Sequence, residues 1–301
     1  MSNGITVKAW TFDELYGGHT GFLDTMEQLK QAYVCEIPTD FHGWVRQPKV
    51  IKLPAQPKKK GRRRSKPRVR KADPSSRVDN LARYSPVFRD QKWQRWRIKD
   101  TDRGPEVWEV KHAVFWRKCQ QTKLPTRQHT LLVCRNVLTG EVKYFLSNQV
   151  IGRGGTTLRW LLQVAFGRWS IEHCFRTAKE ELGMDQFEVR GWRCVHRHWY
   201  VTGLSYLLCS RLRQQWDDMK TLDPLQKLTV EQVRSAINCW LAQHDLPPPK
   251  RTARYQREVD IHKYHQRRNL QAIKSHTKTR YKKLQAMGIE PDEIKRCQPR
   301  E

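Results

Sequence analysis

Two strand-like segments flank a helical one at the start of the chain. Residues 5–12 and 32–38 are rich in β-branched and aromatic residues, and residues 22–31 have apolar positions at helical spacing. Because strand, helix and strand follow one another within about thirty residues, this pattern predicts a βαβ unit with parallel strands. Residues 13–18 end in two glycines and predict a turn directly after the first strand.

Alternating apolar and polar positions dominate the next part, from Tyr84 to Asn148. They predict short strands at 107–110, 113–116, 129–136 and 141–148, the last two joined by a hairpin turn at 137–140. This segment is therefore predicted to be a mostly β module.

The remaining third has helical periodicity. Thr156 and Thr157 predict the start of a helix that continues towards Gly183, and a second helix is predicted over Val195–Trp216. Thr229 and Gln232 have the spacing of a capping box, which predicts the start of a third helix. Residues 250–283 carry twelve Lys or Arg and predict a basic helix or a partly ordered tail.

The excess of basic over acidic residues indicates what this protein binds more clearly than the rest of the composition does. There are 58 Lys and Arg against 30 Asp and Glu, which gives a net charge of +28. No apolar run reaches the roughly 18 residues of a membrane span, and no secretory signal is visible. We therefore expect a DNA-associated protein of the cytoplasm, because a field of this sign attracts nucleic acid.

The eight cysteines are spread through the chain without a CxxC pair and are interpreted as buried free thiols. Cys194, His196 and His198 are close in sequence, but their spacing matches no common structural zinc pattern. We interpret them as polar residues at the start of a helix.

Residues 57–71 form a basic tract with ten Lys or Arg and no acid. Such a run does not fold by itself. Three interpretations stay open: a solvated linker, a non-specific DNA clamp or a localisation signal. The cations proposed for a clamp are Lys58, Lys59, Lys60, Arg62, Arg63 and Arg64.

Two carboxylates are candidates for chemistry. Asp13 follows a predicted buried strand, and ligands of α/β sheets gather beyond the carboxyl ends of strands, although an acid there is more often a turn former. Glu172 lies in the predicted helix between Arg168 and Lys179, within about 40° of both around the helix axis. Alternatively, Arg168, Glu172 and Lys179 form a solvent-exposed helix face that is stabilised by ion pairs. Its apolar neighbours, such as Ile171 and Phe175, favour a semi-buried helix that presents a metal ligand beside phosphate-binding cations.

The segment 167–183, with Arg-x3-Glu-x6-Lys inside it, resembles the third-acid helix of DDE transposases of bacterial insertion sequences. TFDELYGG at residues 11–18 resembles the second acid of the same family, and the β-rich segment between them resembles the insertion of its cut-and-paste members. The resemblance spans about residues 5–215. It implies an α/β fold: an RNase H-like core, incomplete at its N-terminus and interrupted by a mostly β insertion, followed by a helical basic C-terminal region.

The resemblance also implies roles for individual residues. Asp13 and Glu172 are expected to be two of three carboxylates that hold a pair of Mg²⁺ ions, for which Mn²⁺ can substitute. Arg168 and Lys179 are expected to bind DNA phosphates. The implied partners are double-stranded DNA, as transposon ends and target, and a second copy of the chain on that DNA.

The chain departs from the family pattern at two points. The signature begins with Tyr three residues before the Arg, where this chain has Ala165 followed by Phe166. The first acid of the family lies upstream of the second, and none of the twelve residues before Asp13 is acidic, while Asp90, Asp100 and Asp102 lie in the insertion. We therefore expect a truncated copy that is inactive in transposition as the isolated chain.

The chain is predicted to have five regions and one main function. The regions are a partial core with the second acid (1–45), a basic linker (46–80), the β insertion (81–150), core helices with the third acid (151–220) and the helical basic region (221–301). The function is metal-dependent DNA cleavage and strand transfer. The alternatives are a DNA-binding remnant without catalysis and a metal-dependent nuclease on the same core.

Overall fold

The computed structural model describes residues 6–51, 66–218, 228–242 and 248–297. The strands are β1 (Trp10–Phe12), β2 (Tyr33–Glu36), β3 (His42–Trp44), β4 (Val50–Ile51), β5 (Arg68–Val69), β6 (Ser76–Arg77), β7 (Gln94–Thr101), β8 (Gly104–Lys118), β9 (Pro125–Asn136), β10 (Val142–Ser147) and β11 (Lys295–Arg296). The helices are α1 (Glu14–Gly17), α2 (Thr20–Gln28), α3 (Val78–Tyr84), α4 (Pro86–Arg89), α5 (Leu158–Gly167), α6 (Trp169–Leu182), α7 (Trp192–Asp218), α8 (Val230–Ala242) and α9 (Pro248–Ala286). The fold is mixed α/β, as predicted.

The chain divides into two compact units. Unit 1 comprises Met1–Arg168 and Thr279–Glu301, and unit 2 comprises Trp169–Lys278. Unit 1 contains a nine-stranded mixed sheet in which β1, β2, β10, β9, β8, β3 and β6 follow one another, and β7 pairs with both β8 and β11. Unit 2 is helical.

The predicted βαβ unit with parallel strands is confirmed, but the prediction that its first strand is buried was wrong, because Trp10 is exposed and Thr11 and Phe12 are only half-buried. β1 pairs parallel with β2, with Trp10 opposite Tyr33 and Phe12 opposite Cys35. The other side of β2 pairs antiparallel with β10, where Leu146 lies opposite Cys35. The strands predicted as an insertion therefore continue the same sheet as β1 and β2.

Adjacent residues of the central strands face opposite sides of this sheet because the side-chain period of a strand is two. Tyr33 and Leu131 pack on one face, with Leu23 of α2 and Phe88 of α4. Their neighbours Val34 and Leu132 pack on the other face, with Leu161 and Leu162 of α5. Helices thus cover both faces and bury the strands between them.

Several local predictions are confirmed. The hairpin between β9 and β10 turns at Gly140, whose φ of +72° favours glycine, and the Asn136 side chain accepts from two backbone N–H groups of the turn. The capping box closes in both directions. Thr229 N donates to Gln232 Oε1 at 2.9 Å, and Gln232 N donates to Thr229 Oγ1 at 3.2 Å.

Other predictions were wrong in detail. Residues 14–17, predicted as a turn, form the short helix α1, and the two strands predicted at 107–110 and 113–116 are the single strand β8. The helix predicted from Thr157 to Gly183 is two helices, α5 and α6, because Gly167 ends α5 and glycine is a poor helix former.

All eight cysteines are free thiols, but three of them are not fully buried. Cys119 and Cys174 are intermediate and Cys194 is exposed. No helix in the described ranges is long and apolar enough to cross a membrane.

Candidate functional site

Asp13 lies where β1 ends and α1 begins. Its backbone is extended (φ −80°, ψ −179°), and its Oδ1 accepts a hydrogen bond from Tyr16 N at 3.3 Å, so it is the N-cap of α1. The turn-forming role is therefore observed, as expected for an acid after a strand. Oδ2 makes no hydrogen bond within the described part of the chain, and one oxygen is available for a ligand.

Gly17, the last residue of α1, sets the distance between that helix and the sheet. A Cβ atom on Gly17 would lie 1.9 Å from the backbone oxygen of Glu36, and one on Gly18 would lie 3.1 Å from the backbone oxygen of Glu14. Only glycine therefore allows α1 to rest directly on the end of β2. This close approach holds Asp13 at the carboxyl edge of the two parallel strands, where ligands of α/β sheets gather.

Glu172 lies in the first turn of α6, in unit 2. It is exposed, and so is Lys179, which lies within about 20° of it around the helix axis. The prediction that the apolar residues beside Glu172 are semi-buried was wrong, because Ile171 and Phe175 are 50% and 49% exposed. Among the α6 residues whose side chains are described, only Ala178 is buried. Most of α6 thus forms an exposed face of acid, cation and apolar side chains.

Arg168 is not part of α6. It is the C-cap of α5, although its backbone keeps helical angles (φ −56°, ψ −35°). The prediction that Arg168, Glu172 and Lys179 share one continuous helix was therefore wrong. Asp13 and Arg168 belong to unit 1, and Glu172 and Lys179 belong to unit 2.

The two positions that depart from the family signature belong to the core of unit 1. Ala165 is 5% exposed, and the Phe166 ring lies 5.0 Å from that of Trp108 and 5.3 Å from that of Phe145. Neither side chain carries the hydroxyl that the family signature has at this point of α5.

Two acids of the predicted insertion, Asp90 and Asp100, are paired with arginines. Asp90 pairs with Arg89 at 2.8 Å, and Asp100 accepts from Arg97 at 2.6 Å and from Arg296 at 3.3 Å. Arginine partners lower the tendency of a carboxylate to bind a cation, so these acids are poor substitutes for a third ligand. In the described ranges, no group of three or more His, Cys, Asp or Glu side chains is arranged to hold a metal ion.

The six cations of the proposed clamp, Lys58, Lys59, Lys60, Arg62, Arg63 and Arg64, lie outside the described residues. Of the basic tract, the structure describes residues 66–71, where β5 pairs antiparallel with β4. The linker and clamp interpretations both stay predictions.

One charged cluster was missed by the sequence patterns. The Glu27 carboxylate at the end of α2 is contacted by Tyr33 Oη at 3.0 Å, His129 Nε2 at 2.8 Å, Arg117 Nη2 at 3.2 Å and Arg127 Nε at 3.1 Å. Burial alone would raise the pKa of Glu27, but the hydrogen bond with His129 and the charges of Arg117 and Arg127 outweigh it and lower the pKa to about 2. No signal marked the cluster, because its members lie on α2, β2, β8 and β9.

The donor types at the two candidate acids suit a divalent cation. Mg²⁺ and Mn²⁺ prefer oxygen ligands, and Asp13 and Glu172 both offer a carboxylate that is at least partly open to solvent. The residues present therefore fit such an ion in their chemistry.

One of the two candidate acids lies in a segment that matches a known family. Residues 1–105 match the family model described as DDE superfamily endonuclease, a segment that contains Asp13 but ends before Glu172. No curated protein matches the chain. Nucleases of this superfamily generally use divalent metals and act on DNA. The match therefore supports a DDE-type transposase or nuclease family for this chain.

Proposed function

We propose that this protein is a DDE-type transposase, which cleaves and transfers DNA strands in a reaction that depends on a divalent metal. The observation that carries the proposal is the position of Asp13. It lies in the segment that matches the DDE endonuclease family, at the carboxyl end of a strand that pairs parallel with its neighbour. That edge is where α/β sheets bind their ligands.

Asp13 and Glu172 are the proposed metal-holding residues, and Mg²⁺ is the proposed ion with Mn²⁺ as its substitute. When bound, divalent ions stabilise the attacking and leaving oxygens of in-line phosphoryl transfer. The α1 N-terminus holds the Asp13 carboxylate in place through Tyr16 N, and α6 presents Glu172 on an exposed face. Both carboxylates are thereby accessible to a large substrate such as a DNA end.

Arg168 and Lys179 are the proposed phosphate-binding residues. A guanidinium binds two phosphate oxygens at once, whereas an ammonium acts as a point charge. Arg168 at the end of α5 therefore orients the DNA backbone, and Lys179 on the Glu172 face adds attraction. An RNase H-like arrangement of the core and a dimer on DNA belong to the same proposal.

The test measures metal binding and strand cleavage in the same preparations. Mn²⁺ binding to the full chain is followed by electron paramagnetic resonance with duplex DNA present. A nicking and strand-transfer assay with Mg²⁺ or Mn²⁺ runs in parallel. Glu172→Gln and Asp13→Asn each remove a hard anionic ligand but keep the size of the side chain. We expect each to weaken Mn²⁺ binding about tenfold or more.

Glu180→Gln is the matched control, because Glu180 is an exposed acid of the same helix. It is expected to leave Mn²⁺ binding unchanged. If all three variants bind Mn²⁺ like the parent chain, the metal site and the proposed function are wrong. Metal-dependent cleavage without joining would assign a nuclease in place of a transposase.

A further inference from the structure

Helix α9 contains a long segment with cations and no acid. Between Ile261 and Ala286 there are eight Lys or Arg, while the nearest acids in sequence are Asp260 and Glu290. At 1.5 Å per residue this segment is about 39 Å long. It is separate in sequence from the basic tract at 57–71.

Four of these cations, all in unit 2, form a row along one side of the helix. Taking Lys263 as the origin, the others lie within about 60° of it around the helix axis, and the row spans about 23 Å along that axis. Its members are Lys263, Arg267, Lys274 and Lys278. All four are exposed, and within the described part of the chain none of them forms a salt bridge.

The row is unfavourable for the helix by itself. Lys263 and Arg267 are four residues apart, as are Lys274 and Lys278. Like charges at this spacing destabilise a helix by about 0.2–0.5 kcal/mol per pair. No residue from Lys250 to Lys283 whose side chain is described is fully buried, so core packing offsets little of that cost.

We propose that the α9 row, Lys263, Arg267, Lys274 and Lys278, is a docking surface for the phosphate backbone of duplex DNA. A straight row of ammonium and guanidinium groups matches a regular line of phosphates, and the bound polyanion removes the repulsion between the cations. This surface deepens the proposed function, on which the choice of DNA as the polyanion rests. It contacts phosphates and therefore positions DNA without reading its sequence.

The test is the salt dependence of binding to a duplex of unrelated sequence, measured by fluorescence anisotropy with the full chain. A variant replaces all four members of the α9 row by Gln, which keeps helix propensity. Each phosphate contact contributes about −0.9 to the slope of log K against log salt concentration, so the slope is expected to weaken by about 4. Circular dichroism should show unchanged or higher helix content, because repulsion is removed.

The matched control replaces three lysines and one arginine of unit 1 by Gln, so that net charge changes equally. These exposed cations are Lys30, Lys49, Lys92 and Arg153. The control is expected to change the slope by less than about 1. Equal losses in both variants would mean that diffuse charge binds DNA, and the α9 docking surface would be wrong.

Two further arms identify the ligand and separate this proposal from the proposed function. Polyglutamate of equal charge and double-stranded RNA are each added as competitors of the duplex. Polyglutamate should compete poorly. Equal competition by polyglutamate, or a preference for the RNA, would overturn the choice of DNA. Glu172→Gln should leave the salt slope intact while it weakens Mn²⁺ binding. The α9 variant should weaken the salt slope and leave Mn²⁺ binding unchanged, so each of the two proposals is tested by its own measurement.

Discussion

Glu27 and Arg117 are ninety residues apart in sequence and form a buried ion pair, with Oε1 of Glu27 3.2 Å from Nη2 of Arg117. The Arg117 side chain is fully buried, and Nη2 also donates to Asp24. Nε and Nη1 of Arg117 are buried without a hydrogen-bond partner in the described structure. Since a buried guanidinium is costly unless it is paired, α2 and β8 are held together by this contact.

Replacement of Glu27 by Gln should destabilise unit 1 strongly. It leaves the Arg117 charge with less compensation, and breaking a buried pair typically costs about 3–5 kcal/mol. The measurement is the free energy of unfolding in urea. Glu188→Gln, which changes an exposed acid, is expected to cost less than about 0.5 kcal/mol. Equal stability of Glu27→Gln and the parent chain would contradict the role of the cluster.

The same carboxylate predicts a pH dependence. The pKa of Glu27 is lowered from 4.5 to about 2, so its contribution to stability is present above pH 4.5 and is lost as the pH falls towards 2. Thermal melts between pH 5 and 2 should therefore show a steeper loss of stability in the parent chain than in Glu27→Gln. Parallel curves for the two proteins would show that Glu27 is not the group responsible.

Gly17→Ala should disturb the position of Asp13. The new Cβ would lie 1.9 Å from the Glu36 backbone oxygen, so α1 must shift away from β2. We expect a loss of about 2 kcal/mol in unfolding free energy and weaker Mn²⁺ binding. In Gly203→Ala, where nothing lies within 4 Å of the added Cβ in the middle of α7, stability should rise by about 0.5–1 kcal/mol. Stability of Gly17→Ala equal to that of the parent would show that α1 does not need this close approach.

Neutralising the basic tract distinguishes a clamp from a linker. If Lys58, Lys59, Lys60, Arg62, Arg63 and Arg64 contact phosphates, their joint replacement by Gln should weaken binding to unrelated duplexes equally and flatten the salt slope. An unchanged slope would assign the tract to a linker. Because the α9 variant is measured in the same assay, the contributions of the two basic segments can be compared directly.

Much of the local structure was predictable because neighbouring residues decide it. Thr229 and Gln232 satisfy the first N–H groups of α8 by themselves, and Gly140 supplies the positive φ of its hairpin. Asp13 was likewise identified from a turn at the end of a strand, and it lies there as an N-cap. The role of Asp13 as a metal ligand stays a prediction.

The amino-acid sequence by itself determined the parallel βαβ unit, the caps and the strongly basic character, since all of these depend on short-range spacing or on composition. Only the tertiary structure decided that β2 pairs with β10, that Gly17 touches Glu36, and that Glu27, Arg117 and His129 meet. The physical reason is that each of these contacts joins residues distant in sequence. Such contacts form only when the sheet brings their strands together. Neither the spacing of hydrophobic residues nor the residues of the turns therefore predicts them.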